Sequence, residues 1–207
     1  MKTINSTSKL SRIITFTLLL LLTISQGYAQ IEINSPSKWI KPETNISEDL
    51  LWHVKAFRPD AQILKVKAID KKGNVYDVKA IQPPVSSSAV LSIKVIVNDQ
   101  RLPIKIILPN ANDKYFPLVA IDENGKLLKI IAINEEGKYL EVKGHSKSGN
   151  VIHISAITAD NMGYNIIAIS PFGEVNSVVG IKMLDSAEEA VIHGVSVYAH
   201  VKAIKQN

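Results

Sequence analysis

Three histidines carry the first chemical possibility. His53, His153 and His200 occupy one place in a recurring segment, each just before the central aliphatic of its copy (His53-Val54, His153-Ile154, His200-Val201). Neutral imidazoles that converge on one face bind zinc or copper. The three therefore define a candidate metal site, provided that the first and last copies, which share His-Val-Lys-Ala, close the structure side by side. Lys65, Asp77, Lys129, Glu141 and Ser177 stand at the same position in other copies, so it is also a place that simply accepts polar residues.

A second register is basic. Lys55, Lys67, Lys79, Lys143 and Lys202 recur at one repeat position. Such a stripe suits an anionic polymer or a lipid headgroup, and it equally serves solubility and edge protection. Neighbouring antiparallel strands place one register at alternating ends, so a single lysine ladder is not expected.

Other chemistry is thin. The chain has no cysteine, which excludes a thiol nucleophile, cysteine metal ligands and a disulfide framework. It contains no nucleophile elbow, His-Glu-x-x-His helix, phosphate loop or dinucleotide glycine pattern. Asp-x-x-Gly turns invite a calcium reading. They lack alternating acid ligands, and Lys71 and Lys72 fill the tip of the clearest one. Glu135-Glu136 and Glu188-Glu189 read as solvated surface. Trp52 and Tyr76 fall on the packed face, and Trp39 is the one aromatic placed as a contact residue.

These residues sit on a repeat. Ala68 to Ile81 states it most fully: Ala-Ile, then Asp, Asn or Ser, two variable residues, Gly, and a strand ending in Ala-Ile again. It returns over residues 120–133, 132–145, 144–157 and 168–181. The pattern reads as strand, turn, strand, with a type I turn followed by a left-handed residue that glycine adopts without penalty. The turn glycines are Gly73, Gly125, Gly137, Gly149 and Gly173. This loop makes Asp70 face Asn74, Ala68 face Tyr76, Val66 face Val78 and Leu64 face Ala80. The equivalent pairs are Ala120–Leu128, Ala132–Leu140, Gly144–Ile152 and Ala168–Asn176, mostly small opposite large, as on a packed face. On the other face Lys67 meets Asp77 and Lys143 meets His153.

The prediction is all-β: an antiparallel meander of about a dozen short strands, closed as a barrel, a propeller-like ring or two packed sheets. A parallel solenoid is the competing architecture. Strands are expected over 51–57, 62–69, 74–81, 90–97 and 102–108, then through 117–182 with an irregular turn at Thr158–Gly163. Short helical pieces are expected at Ser47–Leu50 and Leu184–Ala190.

Residues 1–29 read as a secretory signal peptide, with Lys2, Lys9 and Arg12 ahead of an apolar run from Ile13 to Ile24 and small residues in Gly27-Tyr28-Ala29. The run is short for a bilayer span. Taking 29 residues and three positive charges from 207 residues of net charge +5 leaves 178 residues at +2, which does not argue for nucleic acid. The remainder, 30–207, is one β-repeat domain with an irregular arm at 30–50.

The Val-Lys-Ala-Ile copies, the Asp-x-x-Gly-Asn turns and the leader together resemble an uncharacterised family of secreted proteins from Gram-negative bacteria, a domain of unknown function. That resemblance implies no activity and no site residues. The reading from sequence is an exported, non-enzymatic binding or structural module, periplasmic or secreted. No cofactor and no stable membrane insertion are expected, and the partner would be an envelope protein or a glycan. The alternatives are a small metal-dependent envelope enzyme using His53, His153 and His200, and a module for anionic glycans.

Overall fold

A computed structural model describes residues 49–84, 89–110, 112–182 and 190–205. Residues 1–29, read above as a leader, nearly all of the 30–50 arm with Trp39, and the helix expected at Leu184–Ala190 (apart from Ala190 itself) lie outside these residues. Leu50, expected in a helical turn, opens the first strand.

The chain is all-β, with strands β1 (Leu50–Phe57), β2 (Leu64–Ile69), β3 (Val75–Gln82), β4 (Val90–Val97), β5 (Gln100–Ile107), β6 (Phe116–Ile121), β7 (Leu127–Ile133), β8 (Tyr139–Ser148), β9 (Val151–Ile157), β10 (Gly163–Ile169), β11 (Val175–Lys182), β12 (Ala190–Ile192) and β13 (Val195–Ile204). All pairing is antiparallel within one sheet, so the solenoid is excluded.

The turns follow from local chemistry. At Asp70 the backbone N–H donates to Asn74 O (3.1 Å), Gly73 N donates to Asp70 O (3.0 Å), and the carboxylate accepts from the N–H groups of Lys72 and Asn74. Asp122, Asn134, Thr158 and Ser170 begin matching turns, each side chain accepting from the N–H four residues on. A short oxygen at the first position therefore satisfies an N–H that the loop would otherwise leave open. Gly73, Gly125, Gly137 and Gly173 have φ between +76 and +89°. Thr158–Gly163 is not irregular after all. Asn161, at φ +61°, takes the glycine's place there, because asparagine tolerates the left-handed region.

The hairpin around Gly149 departs from the expected loop. Ser148 pairs with Val151, so only two residues form the loop. Alone this would turn the face of β8 inside out. A bulge at His145 restores it: Ser146 pairs with His153 but Gly144 pairs with Ile154. The expected Gly144–Ile152 and Lys143–His153 pairs are replaced by Gly144–Ile154 and Lys143–Ser155.

Of the closures expected, the sheet forms a ring and not a plain barrel or two stacked sheets. In the β2–β3 hairpin, Lys67, Ala68 and Ile69 pair with Asp77, Tyr76 and Val75, and then the strands part. The expected Val66–Val78 and Leu64–Ala80 pairs do not form. Instead β1 enters the fork, pairing Ala56 with Leu64 and Trp52 with Ala80. The result is a junction of three mutually paired strands. Three more have the same form: β4–β5–β13, β6–β7–β8 and β9–β10–β11. Each pair of junctions is linked by one strand pair: β1–β10, β2–β7, β3–β4, β5–β6, β8–β9 and β11–β13. This is the connectivity of a truncated tetrahedron. Every strand except β12 is bordered on both sides, so the closed sheet leaves little bare edge. β1 and β13 both close it, but through β10 and through β4, β5 and β11, not against each other.

The fork residues make the core. At each junction three aliphatics stand at the parting points: Val54, Val66 and Val78; Ile93, Ile104 and Val201; Leu118, Ile130 and Val142; Ile154, Ile166 and Val178. All are buried in one cluster. Small residues flank them where distant strands press close. A Cβ on Gly180 would lie 2.2 Å from Ile106 Cδ1, so any larger residue there would force the Ile106 side chain to move.

Candidate functional site

If the fork residues point inward, their neighbours along each strand point out, and six of them ring each junction. The four rings differ sharply. The β1–β2–β3 ring consists of His53, Lys55, Lys65, Lys67, Asp77 and Lys79. Its register pairs are His53–Lys79, Lys55–Lys65 and Lys67–Asp77. Lys67 and Asp77 form an ion pair. The other two pairs set cation against cation, or cation against imidazole. Lys79 Nζ lies 3.1 Å from His53 Nδ1, and this neighbour, more than burial, lowers the His53 pKa. Burial, then Lys65 and Lys79, lowers the Lys55 ammonium. On the far side of β3, Lys79 pairs with Lys94, carrying the basic surface to the next junction.

Three strands meeting at a fork rotate around it, so Lys55, Lys67 and Lys79 converge. The alternating-ends expectation holds for a flat meander and fails here.

The β4–β5–β13 ring contains Ser92, Lys94, Pro103, Lys105, His200 and Lys202. Lys105 is 4% exposed, and its Nζ lies 2.6 Å from His200 Nδ1. Burial first, then Lys202 and Lys94, pushes the Lys105 pKa down to about 7. Burial and Lys105 push His200 down to about 4, so its imidazole is neutral near pH 7 and accepts from the amine. Lys202 Nζ donates to Ser92 Oγ at 3.0 Å. Sequence reading marked Lys202 and His200 here and missed Lys105. Its only signal was a lysine inside an aliphatic strand, Pro103-Ile104-Lys105-Ile106-Ile107.

The β6–β7–β8 ring is less basic, with Glu141 accepting from Lys129 and, at 2.5 Å, from Lys143. Beside it opens a groove of about 580 Å3 bordered by Tyr115, Tyr139 and Leu127. The β9–β10–β11 ring has no lysine, arginine or acid: Ser155, Asn165, Ile167, Ser177, Val179 and His153. The last lies 6.5 Å, ring to ring, from His145.

The candidate metal residues are thus not brought together. His53, His200 and His153 ring three different junctions, because β1 pairs with β10 and not with β13. His53 and His200 each contact a lysine, an unfavourable neighbour for a cation. Among the described residues no group of three His, Cys, Asp or Glu side chains is placed to hold a metal.

Trp52 is core, its Nε1 donating to Gln82 Oε1 at 2.8 Å. Asp70, in the turn considered for calcium, has its carboxylate taken up by N–H groups, Asn74 Nδ2, Tyr76 Oη and, at 2.5 Å, Lys126 Nζ.

No curated protein and no solved structure matches the chain. Residues 48–204, which contain all four junctions, match the model of a family of unknown function (DUF7486), and the chain belongs to that family.

Proposed function

We propose that the protein is an exported, non-enzymatic binding module of the Gram-negative cell envelope, and that its ligand is an anionic glycan held on the β1–β2–β3 ring. The leader-like residues 1–29 support export. One observation carries the ligand class. Directly opposed like charges destabilise a sheet. Yet within this one ring Lys55 faces Lys65 and Lys79 faces His53. Asp77 is the one acid in the ring and is already paired with Lys67. A repeating polyanion would relieve this repulsion along the whole band, whereas a lone counter-ion relieves one pair. The repeat itself does not demand the lysines, because the β9–β10–β11 ring places Ser, Asn and Val at equivalent positions.

The test is retention of the purified, exported protein on immobilised polygalacturonate and on neutral dextran across a salt gradient. Retention on the polyuronate alone, falling steeply with salt, is expected. The Lys55→Glu/Lys65→Glu variant should elute at far lower salt while melting like the parent. Equal retention on dextran, or an unchanged elution position for the variant, overturns the reading.

A further inference from the structure

The groove beside the β6–β7–β8 junction is a separate site with different chemistry. Its volume, about 580 Å3, lies within the range of small-molecule sites. Its floor is aliphatic: Ile69, Pro117, Val119 and Leu127 from the outer face, with Leu118 and Val142 reached through the fork. At this fork β6 meets β8 over Phe116–Gly144 and Pro117–Lys143. The segment carrying Lys114 and Tyr115 forms one wall and is tied down by Tyr115 Oη, which donates to Asn161 Oδ1 at 3.1 Å.

The rim decides the ligand class. Lys143 and Lys114 lie 5.5 and 5.7 Å from the centre of the Tyr115 ring, so a sugar seeking a bare aromatic platform competes with two ammonium groups there. Tyr139, 53% exposed, is the one open ring. Of the acids, Glu141 is held by Lys129 and Lys143, Asp70 by its turn and Lys126, and Asp113 accepts from Asn110 N and keeps its charge, so the two unpaired lysines outnumber the one unpaired acid. Lys71 and Lys114 have no acid partner among the described residues. An apolar floor beneath unneutralised cations matches a molecule with a hydrocarbon body and an anionic head.

We propose that this groove binds a small anionic amphiphile, its hydrocarbon body lying on the Ile69–Val119–Leu127 floor and its carboxylate held by Lys71 and Lys114. This does not rest on the glycan reading: it uses other residues, and neither proposal needs the other.

Calorimetric titration tests it with three probes below their micellar concentrations: decanoate, decyltrimethylammonium and glucuronate. Decanoate should bind saturably at one site. Decyltrimethylammonium, with the same body and opposite charge, should bind at least tenfold more weakly. Glucuronate, with the head and no tail, should give no saturable heat. Lys71→Glu/Lys114→Glu should weaken decanoate tenfold or more, and Tyr139→Ala, at an exposed position, should weaken it without altering the melting temperature. Three results would each overturn the site: no saturable decanoate binding, equal binding of the cationic probe, or undiminished decanoate binding by the charge-reversed variant. Polyuronate retention is a separate readout, so failure here leaves the glycan reading standing, and the converse holds.

Discussion

The β1–β2–β3 and β6–β7–β8 junctions are built alike and present opposite surfaces. Each parts a hairpin at a buried aliphatic and admits a third strand. Each aims three aliphatics at the same core, Val54, Val66 and Val78 in one, Leu118, Ile130 and Val142 in the other. Outside, the first gathers five basic side chains around one acid. The second pairs both of its lysines, Lys129 and Lys143, with Glu141 and opens an apolar groove. The inward positions answer to every other strand through a close-packed core. The outward ones answer only to a register neighbour and to solvent. Ligand chemistry is therefore free to differ from junction to junction while the architecture stays constant.

The largest expected effect separates inside from outside on one strand. Ile130→Ala should cost about 2–5 kcal/mol through lost burial and a cavity at the fork. Its neighbour Lys129→Ala should stay within about 0.5 kcal/mol, since its pair with Glu141 is exposed. Denaturant unfolding of both variants measures the contrast, and similar midpoints would refute the division of labour.

The next effect sharpens the comparison by charge. Lys105 titrates near its ordinary 10.5 when unfolded and near 7 when folded. Between those values the unfolded chain binds more protons, so stability should rise with pH from about 7 to 10.5 and be lowest below 7. His200, displaced from 6.5 to about 4, adds a further loss as pH falls through that window. Melting temperatures across pH 6–10 should climb for the parent, and Lys105→Met should flatten the climb. A flat parent profile would show that the buried amine is not strained.

The smallest effect tests the exposed cations directly. Lys65→Glu turns the Lys55–Lys65 opposition into an attraction and should stabilise the sheet by about 0.2–1 kcal/mol at low salt. The same change should weaken polyuronate retention. A gain in stability without a loss of binding would leave the lysines unexplained.

Much of the strand pattern was legible because its causes are local. The Asp/Asn/Ser-x-x-Gly segments specify their own turns through a side-chain oxygen and a left-handed glycine. The turn then fixes the first pairs, Lys67–Asp77 and Ala68–Tyr76 among them. Where two local devices cancel, as with the two-residue loop at Gly149 and the bulge at His145, the turn reading went astray while the facing of the strands survived. The candidate site was less legible. Lys55, Lys67 and Lys79 were visible as a register, but their convergence needs a fork that no single hairpin encodes.

What the sequence determined by itself was the strands, their inward and outward faces, and the antiparallel sense of each neighbour, all set within a dozen or so residues by turn geometry and alternation. Which distant strand completes each border was decided by the tertiary structure alone. Ala132 against Val66 and Ala168 against Val54 are nearly the same small-to-branched match. Copies this alike give a strand several equivalent partners on paper. Only simultaneous closure of all four junctions around one core removes the degeneracy, and with it sends His53, His153 and His200 to three different surfaces.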